Sequence, residues 1–151
     1  MDHNLLMGIS HLTFNSSNLE ASLRFYCDLL GFKKKFEICI PESIPETSPF
    51  FALRGRPSIT YLQAPDGNLI EIFTPTPGLS EKDPIEARVG YAHMSLRVSD
   101  IKVAAEQLKA EGVRFDSEIS LGPDNTYQVW IRDPDGNRIE LMEYTAKSLQ
   151  L

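Results

Sequence analysis

Short stretches of the chain alternate between apolar and polar positions, and between them stand runs with helical spacing. Ile9-Ser10-His11-Leu12-Thr13-Phe14 has the two-faced character of a strand. Ser17-Asn18-Leu19-Glu20 reads as a capping box, after which Leu19, Leu23, Tyr26 and Leu30 recur at helical spacing. Gly31 is a natural stop for that helix. Phe36–Ile40 predicts a second strand. Ser58–Gln63 and Leu69–Phe73 predict two more, joined across Asp66-Gly67, a strong hairpin signal. A similar order follows: a strand at Tyr91–Val98, a helix at Ile101–Glu111 and a strand near Arg114–Ile119. It ends in a hairpin of Tyr127–Arg132 with Arg138–Glu143, turning at Asp135-Gly136.

That order is an internal repeat. Residues 63–73 read Q-A-P-D-G-N-L-I-E-I-F and residues 132–142 read R-D-P-D-G-N-R-I-E-L-M. Upstream, I-S-H-L-T-F at 9–14 resembles Y-A-H-M-S-L at 91–96. Seven positions after each histidine stands a capping residue, Asn18 or Asp100, and Gly31 and Gly112 follow at about twenty. The reading is one domain over residues 1–151, built from two βαβββ modules at about 5–75 and 86–145, in the α+β class. Two stretches fall outside the repeat. Residues 41–49 hold three prolines and cannot join a central ladder; they form either a lid or rim beside a site or a plain surface connection. Residues 75–86 are a linker.

The repeat duplicates chemistry as well as structure. Each module offers a histidine in its first strand, His11 or His93, and a glutamate in its last, Glu71 or Glu140. Glutamate is a poor strand former. With Ile70 and Ile72 packed against a helix, Glu71 turns to the opposite face, and Ile139 and Leu141 do the same for Glu140. Four such donors on one concave surface need compensation for their buried carboxylates, which a divalent cation supplies. Two imidazoles with two carboxylates suit Ni²⁺, Co²⁺, Fe²⁺, Mn²⁺ or Zn²⁺, one ion per site, with coordination positions left for substrate. Taken singly, a strand histidine or glutamate is more often an ordinary packed or solvated residue; the pairing across the repeat changes that balance. His3 lies outside the repeat and has no assigned role.

Composition narrows the class. Of 151 residues, 42% are hydrophobic and 24% charged, enough for a core. No apolar run approaches the roughly 18 residues of a membrane span. Met1-Asp2-His3-Asn4 has no signal-peptide character. Cys27 and Cys39 do not make a disulfide framework and read as free thiols of a reducing compartment. Nothing beside Cys27 lowers its pKa in an obvious way, so it is not read as a nucleophile. A net charge of −6 argues against nucleic acid. The expectation is a cytoplasmic protein with a small-molecule substrate and no membrane partner.

The phrases I-S-H-L-T-F, L-E-A-S-L-R-F-Y-C-D-L-L-G-F, G-Y-A-H-M-S-L-R-V-S-D and D-P-D-G-N-R-I-E-L together resemble the vicinal-oxygen-chelate superfamily over nearly the whole chain. That superfamily includes glyoxalase I, extradiol dioxygenases, methylmalonyl-CoA epimerase and fosfomycin-resistance proteins. The resemblance implies a cupped half-barrel mixed sheet, a homodimer, and metal ligation by His11, Glu71, His93 and Glu140. A His-Glu-His-Glu set resembles bacterial-type glyoxalase I, which implies a lyase or isomerase working through a metal-bound enediolate. Glu140 is then the proton-carrying base. Two glutathione contacts of that family fall on Asn15 and Pro75, so glutathione itself is not implied. The alternatives are a dioxygenase or epimerase of the same fold, or a non-enzymatic binding protein that sequesters a drug-like ligand.

Three further residues are candidates for substrate binding. Arg97 alternates onto the face of His93 and either binds an anionic group or is a solvated strand end. Tyr61 and Trp130 occupy equivalent repeat positions, and either wall an aromatic pocket or pack in the core.

Overall fold

β1 (His11–Asn15) opens the first unit, and the chain turns into its helix through Asn18. Asn18 is extended (φ −147°) and its side-chain oxygen accepts from Ala21 N at 3.1 Å. The cap therefore lies one residue beyond the Ser17 expected from the capping-box pattern. With Asn18 as cap, Glu20 is a residue short of the position for a reciprocal bond. Ser16 takes a local role instead, accepting from Asn18 N at 3.1 Å and meeting the Ser22 hydroxyl at 2.8 Å.

α1 (Leu19–Leu23) runs on as wider π-type turns over Arg24–Leu29. An i→i+5 bond, Leu30 N to Phe25 O at 3.1 Å, marks the widening and rotates the later side chains. The buried face becomes Ser22, Phe25 and Tyr26, whereas Leu19, Leu23 and Leu30 are only half-buried. Gly31 (φ +75°) closes the helix, with Phe32 N reaching back to Tyr26 O at 2.9 Å.

β2 (Lys33–Cys39), β3 (Pro57–Gln63) and β4 (Leu69–Phe73) complete the unit in the sheet order β1-β4-β3-β2. β1 runs parallel to β4 and the other pairs are antiparallel. β2 begins three residues before the expected Phe36 and is exposed along its length. Lys33, Lys34 and Lys35 on this edge discourage pairing with another chain.

The second unit repeats the plan: β5 (Met94–Arg97), α2 (Ile101–Ala110), β6 (Arg114–Phe115), β7 (Ser120–Leu121), β8 (Thr126–Arg132) and β9 (Arg138–Tyr144). Its order is β5-β9-β8-β6, with β7 also on β8, and β5 is parallel to β9. β5 is shorter than the expected Tyr91–Val98. The strand expected near Arg114–Ile119 is two short ones, because Ser117 leaves the ladder and its hydroxyl accepts from Trp130 N at 3.1 Å.

The computed structural model describes residues 8–48, 51–74 and 90–151. His3, Pro75 and the linker at 75–86 lie outside the described residues. The chain divides into two compact units, Met1–Ser80 and Glu81–Leu151. Both described parts have the βαβββ order, with β7 added in the second, and a mixed sheet, which makes the fold α+β. Among the described residues no helix is long and apolar enough to cross a membrane.

Two turns set the register on which the rest depends. Ala64 N bonds Asn68 O at 2.8 Å around Gly67 (φ +95°), and Asp133 N bonds Asn137 O at 3.1 Å around Gly136 (φ +79°). The second turn is tied further by Asp133, whose buried carboxylate accepts from Asp135 N, Asn137 N and Asn137 Nδ2. Alternation then separates the faces of each sheet. Leu62, Ile70 and Ile72 are buried on one face of the first, as are Val129, Ile131, Ile139 and Leu141 in the second. α2 buries Ile101, Ala105 and Leu108 along one stripe and packs on β8 and β9. Glu71 and Glu140 stand on the opposite faces.

The proline-rich segment does more than connect. Ile40 and Leu53, which flank it, are buried with Ile59, and Ile44, Tyr61 and Phe73 pack against them. Ile59, Tyr61 and Phe73 share the Glu71 face, so this cluster lies on that side of the sheet. Gly55 N closes its base on Ile40 O at 2.8 Å. Gly55 has φ +74°, a left-handed backbone in which a side chain is strained, so glycine is favoured there.

Candidate functional site

Parallel pairing of β1 with β4 sets Thr13 opposite Glu71, and His11, two residues earlier, on the same face. His11 Nε2 lies 3.5 Å from Glu71 Oε2. The second unit has the same construction. Ser95 is opposite Glu140, and His93 Nε2 lies 3.5 Å from Glu140 Oε2. In both, the imidazole is partly exposed while the carboxylate residue is buried, 8% exposed at Glu71 and 7% at Glu140. The structure gathers these donors as two pairs. Among the described residues no group of three or more histidine, cysteine, aspartate or glutamate side chains comes together.

One detail of each pair, and a second of the first pair, went unread in the sequence. Thr13 Oγ1 donates to Glu71 Oε2 and Ser95 Oγ to Glu140 Oε2, both at 2.7 Å. The signal was present in the repeat, where H-L-T aligns with H-M-S and only the hydroxyl is common to the third position. Ser10 Oγ lies 3.0 Å from His11 Nδ1, which leaves Nε2 as the nitrogen facing the carboxylate.

Tyr61 and Trp130 each lie on the glutamate face of their own unit. Cross-strand register places Tyr61 opposite Glu71 and Trp130 opposite Glu140. The Tyr61 ring meets His11 edge-on at 5.3 Å and the Trp130 ring meets His93 edge-on at 4.8 Å. Burial, then hydrogen bonding with Glu71 and its charge, pushes the Tyr61 phenol above its ordinary range. Phe36 stacks on Tyr61 at 4.5 Å.

Arg97 shares the face of Ser95, but it extends toward Tyr144, with its guanidinium 5.4 Å from that ring. It stands four residues along the strand from His93, about 13 Å at the usual rise. Arg138 lies nearer. It precedes Glu140 by two residues, on the same face, and its guanidinium rests 4.1 Å over the Trp130 ring that touches His93. Alternation within G-N-R-I-E would have found it. Cys27 is drawn away from nucleophilic chemistry. Burial and the charge of Asp28 raise its thiol's pKa, against a smaller opposite influence of Lys34.

The donor chemistry suits a divalent cation. Nitrogen and oxygen donors held about 2.0–2.2 Å from one ion lie roughly 3 Å apart. The His–Glu separations of 3.5 Å need only a small adjustment to reach that spacing. A ligating carboxylate usually carries a hydrogen bond of its own, as Thr13 and Ser95 supply here.

A family model described as Glyoxalase/Bleomycin resistance protein/Dioxygenase superfamily matches residues 8–141. A probable lactoylglutathione lyase of Synechocystis sp. is 27% identical over 144 residues, covering 93% of this chain and 98% of its own. The lactoylglutathione lyase of Haemophilus influenzae is 29% identical over 140 residues, covering 91% and 93%. A solved glyoxalase family protein from Bacillus cereus shares the fold, with a TM-score of 0.73 at 21% identity over 95% and 97% of the two chains. The repeated βαβββ order and the match over nearly the whole chain have one conclusion: the protein belongs to the glyoxalase/bleomycin resistance protein/dioxygenase superfamily.

Proposed function

We propose that the protein is a metal-dependent lyase or isomerase of glyoxalase I type, acting on a small α-hydroxycarbonyl compound or thiol adduct. The observation that supports it most is the duplicated pair, His11 with Glu71 and His93 with Glu140, each at 3.5 Å. One pair is a weak cation site. Two pairs make the N₂O₂ set that suits Ni²⁺, Co²⁺, Fe²⁺, Mn²⁺ or Zn²⁺. In this proposal the pairs unite at one ion, within a chain or across a homodimer. When bound, that ion polarises the substrate carbonyl and makes the neighbouring C–H more acidic.

The chain's own residues supply the rest. Glu140 takes the proton from the carbon bearing the hydroxyl and returns it to the adjacent carbonyl carbon, while the hydroxyl proton passes to the other oxygen, so hydroxyl and carbonyl exchange places without gain or loss of atoms. The two carboxylates are not equally held. Glu71 has Thr13 at 2.7 Å and the Tyr61 phenol beside it. Glu140 has Ser95 at 2.7 Å, and its cross-strand neighbour is an indole. The less restrained carboxylate is the better proton carrier. All four donors would hold the ion at rest, with His11, His93 and Glu71 keeping it while Glu140 carries the proton, and the Tyr61 and Trp130 rings orient the substrate and exclude water.

The test is turnover by protein loaded in turn with each of the five ions, using methylglyoxal with a panel of thiols. The expected result is isomerisation of at least one adduct, lowered roughly 10²–10⁴-fold in Glu140→Gln. Adducts left unchanged with every ion would remove the assignment. Turnover strictly dependent on O₂ would replace it with a dioxygenase.

A further inference from the structure

We infer that Thr13 and Ser95 are positioning residues of the cation site, each fixing which oxygen of its glutamate faces the ion. The inference rests on the metal-binding reading above and adds residues to it.

Glutamate's terminal torsion is broad and nearly two-fold, so a carboxylate on a strand has no intrinsic reason to present one oxygen. Here both are fixed. In each unit the hydroxyl two residues after the histidine donates at 2.7 Å, and the acceptor is Oε2, the oxygen that lies 3.5 Å from the histidine Nε2. An oxygen with two lone pairs can take the hydroxyl on one and an ion on the other. The hydroxyl thus selects Oε2 for one-oxygen ligation beside the imidazole.

Two observations separate this from ordinary strand hydroxyls. The residue types differ, threonine in one unit and serine in the other, while donor, acceptor atom and distance coincide. Both donors also face carboxylates that are nearly buried, where orientation is not averaged by solvent. Parallel register brings this about, setting Thr13 and Ser95 directly across from the two glutamates.

The experiment measures affinity for Zn²⁺ and for Ni²⁺ by chelator competition on the whole protein, stripped of metal. Thr13→Val, Ser95→Ala, Thr13→Ser and Ser95→Thr are compared with wild type. Circular dichroism without metal reports folding. Loss of an outer-shell partner typically weakens metal binding about 10–100-fold, and that loss is expected for Thr13→Val and for Ser95→Ala. Thr13→Ser and Ser95→Thr, which keep the hydroxyl, are expected to retain wild-type affinity. Ser95→Ala, in a separate unit, decides the matter if Thr13→Val fails to fold. Folded valine and alanine variants that bind as tightly as wild type would overturn the inference and leave the metal reading intact. Equal weakening in the hydroxyl-keeping variants would overturn it too. A wild-type protein that binds neither ion would remove the metal reading and this inference with it.

Discussion

Glu71 and Glu140 are costly residues to bury, and each is given a hydroxyl donor and a neighbouring imidazole. That investment at two equivalent points is what marks them among the twenty-one acidic residues. The cysteines show the opposite case. Cys39 is exposed, whereas Cys27 is half-buried with its thiol raised by burial and by Asp28. Only the thiolate reacts with alkylating reagents. At neutral pH iodoacetamide is therefore expected to modify Cys39 first and Cys27 much more slowly, as followed by peptide mass spectrometry. Equal rates would contradict the buried, raised thiol. The candidate donors were legible from the repeat, because His11, Glu71, His93 and Glu140 recur at matching landmarks. Thr13 and Ser95 were harder to read, since a hydroxyl on a strand is common and only the cross-strand partner gives it meaning.

At the level of elements, local signals worked where the physics is local. Asp100 caps α2 by accepting from Lys102 N and Val103 N, both at 3.0 Å, and Glu143 reaches from β9 to accept from Ile101 N at 2.7 Å. Asp100→Ala should lower stability by about 1 kcal/mol in urea unfolding, with metal affinity unchanged. A change in affinity would mean that α2 is coupled to the site. The hairpins, too, were legible, because Asp-Gly turns leave few alternatives. The first helix was less so. Its apolar spacing fits 3.6 residues per turn, but the π-type turns over Arg24–Leu29 bring Phe25 inward. The break between β6 and β7 was hidden as well, because it depends on Ser117 meeting Trp130 N from another strand.

For the whole molecule, an ion held at the proposed site more tightly than by the unfolded chain would stabilise the fold. At a free ion concentration one hundred times Kd the gain is about 2.7 kcal/mol. For a chain of this size that raises Tm by roughly 5–10 °C, since each kcal/mol is worth about 2–4 °C. Scanning calorimetry with and without chelator measures it, and Glu71→Ala and Glu140→Ala are expected to abolish most of the shift. A chelator-independent Tm would contradict the proposal. Family, α+β class and the two βαβββ plans were all present in the linear order of residues, since periodicity, caps and tight turns act over a few positions. So were the donor types. Folding contributed what depends on distant segments meeting: the 3.5 Å pairs, Tyr61 and Trp130 beside their histidines, and Ile44 of the proline-rich segment packed against the cluster of Ile40, Leu53 and Ile59. No local pattern could supply these, because strand register and side-chain contact arise only when chain ends dozens of residues apart share one sheet.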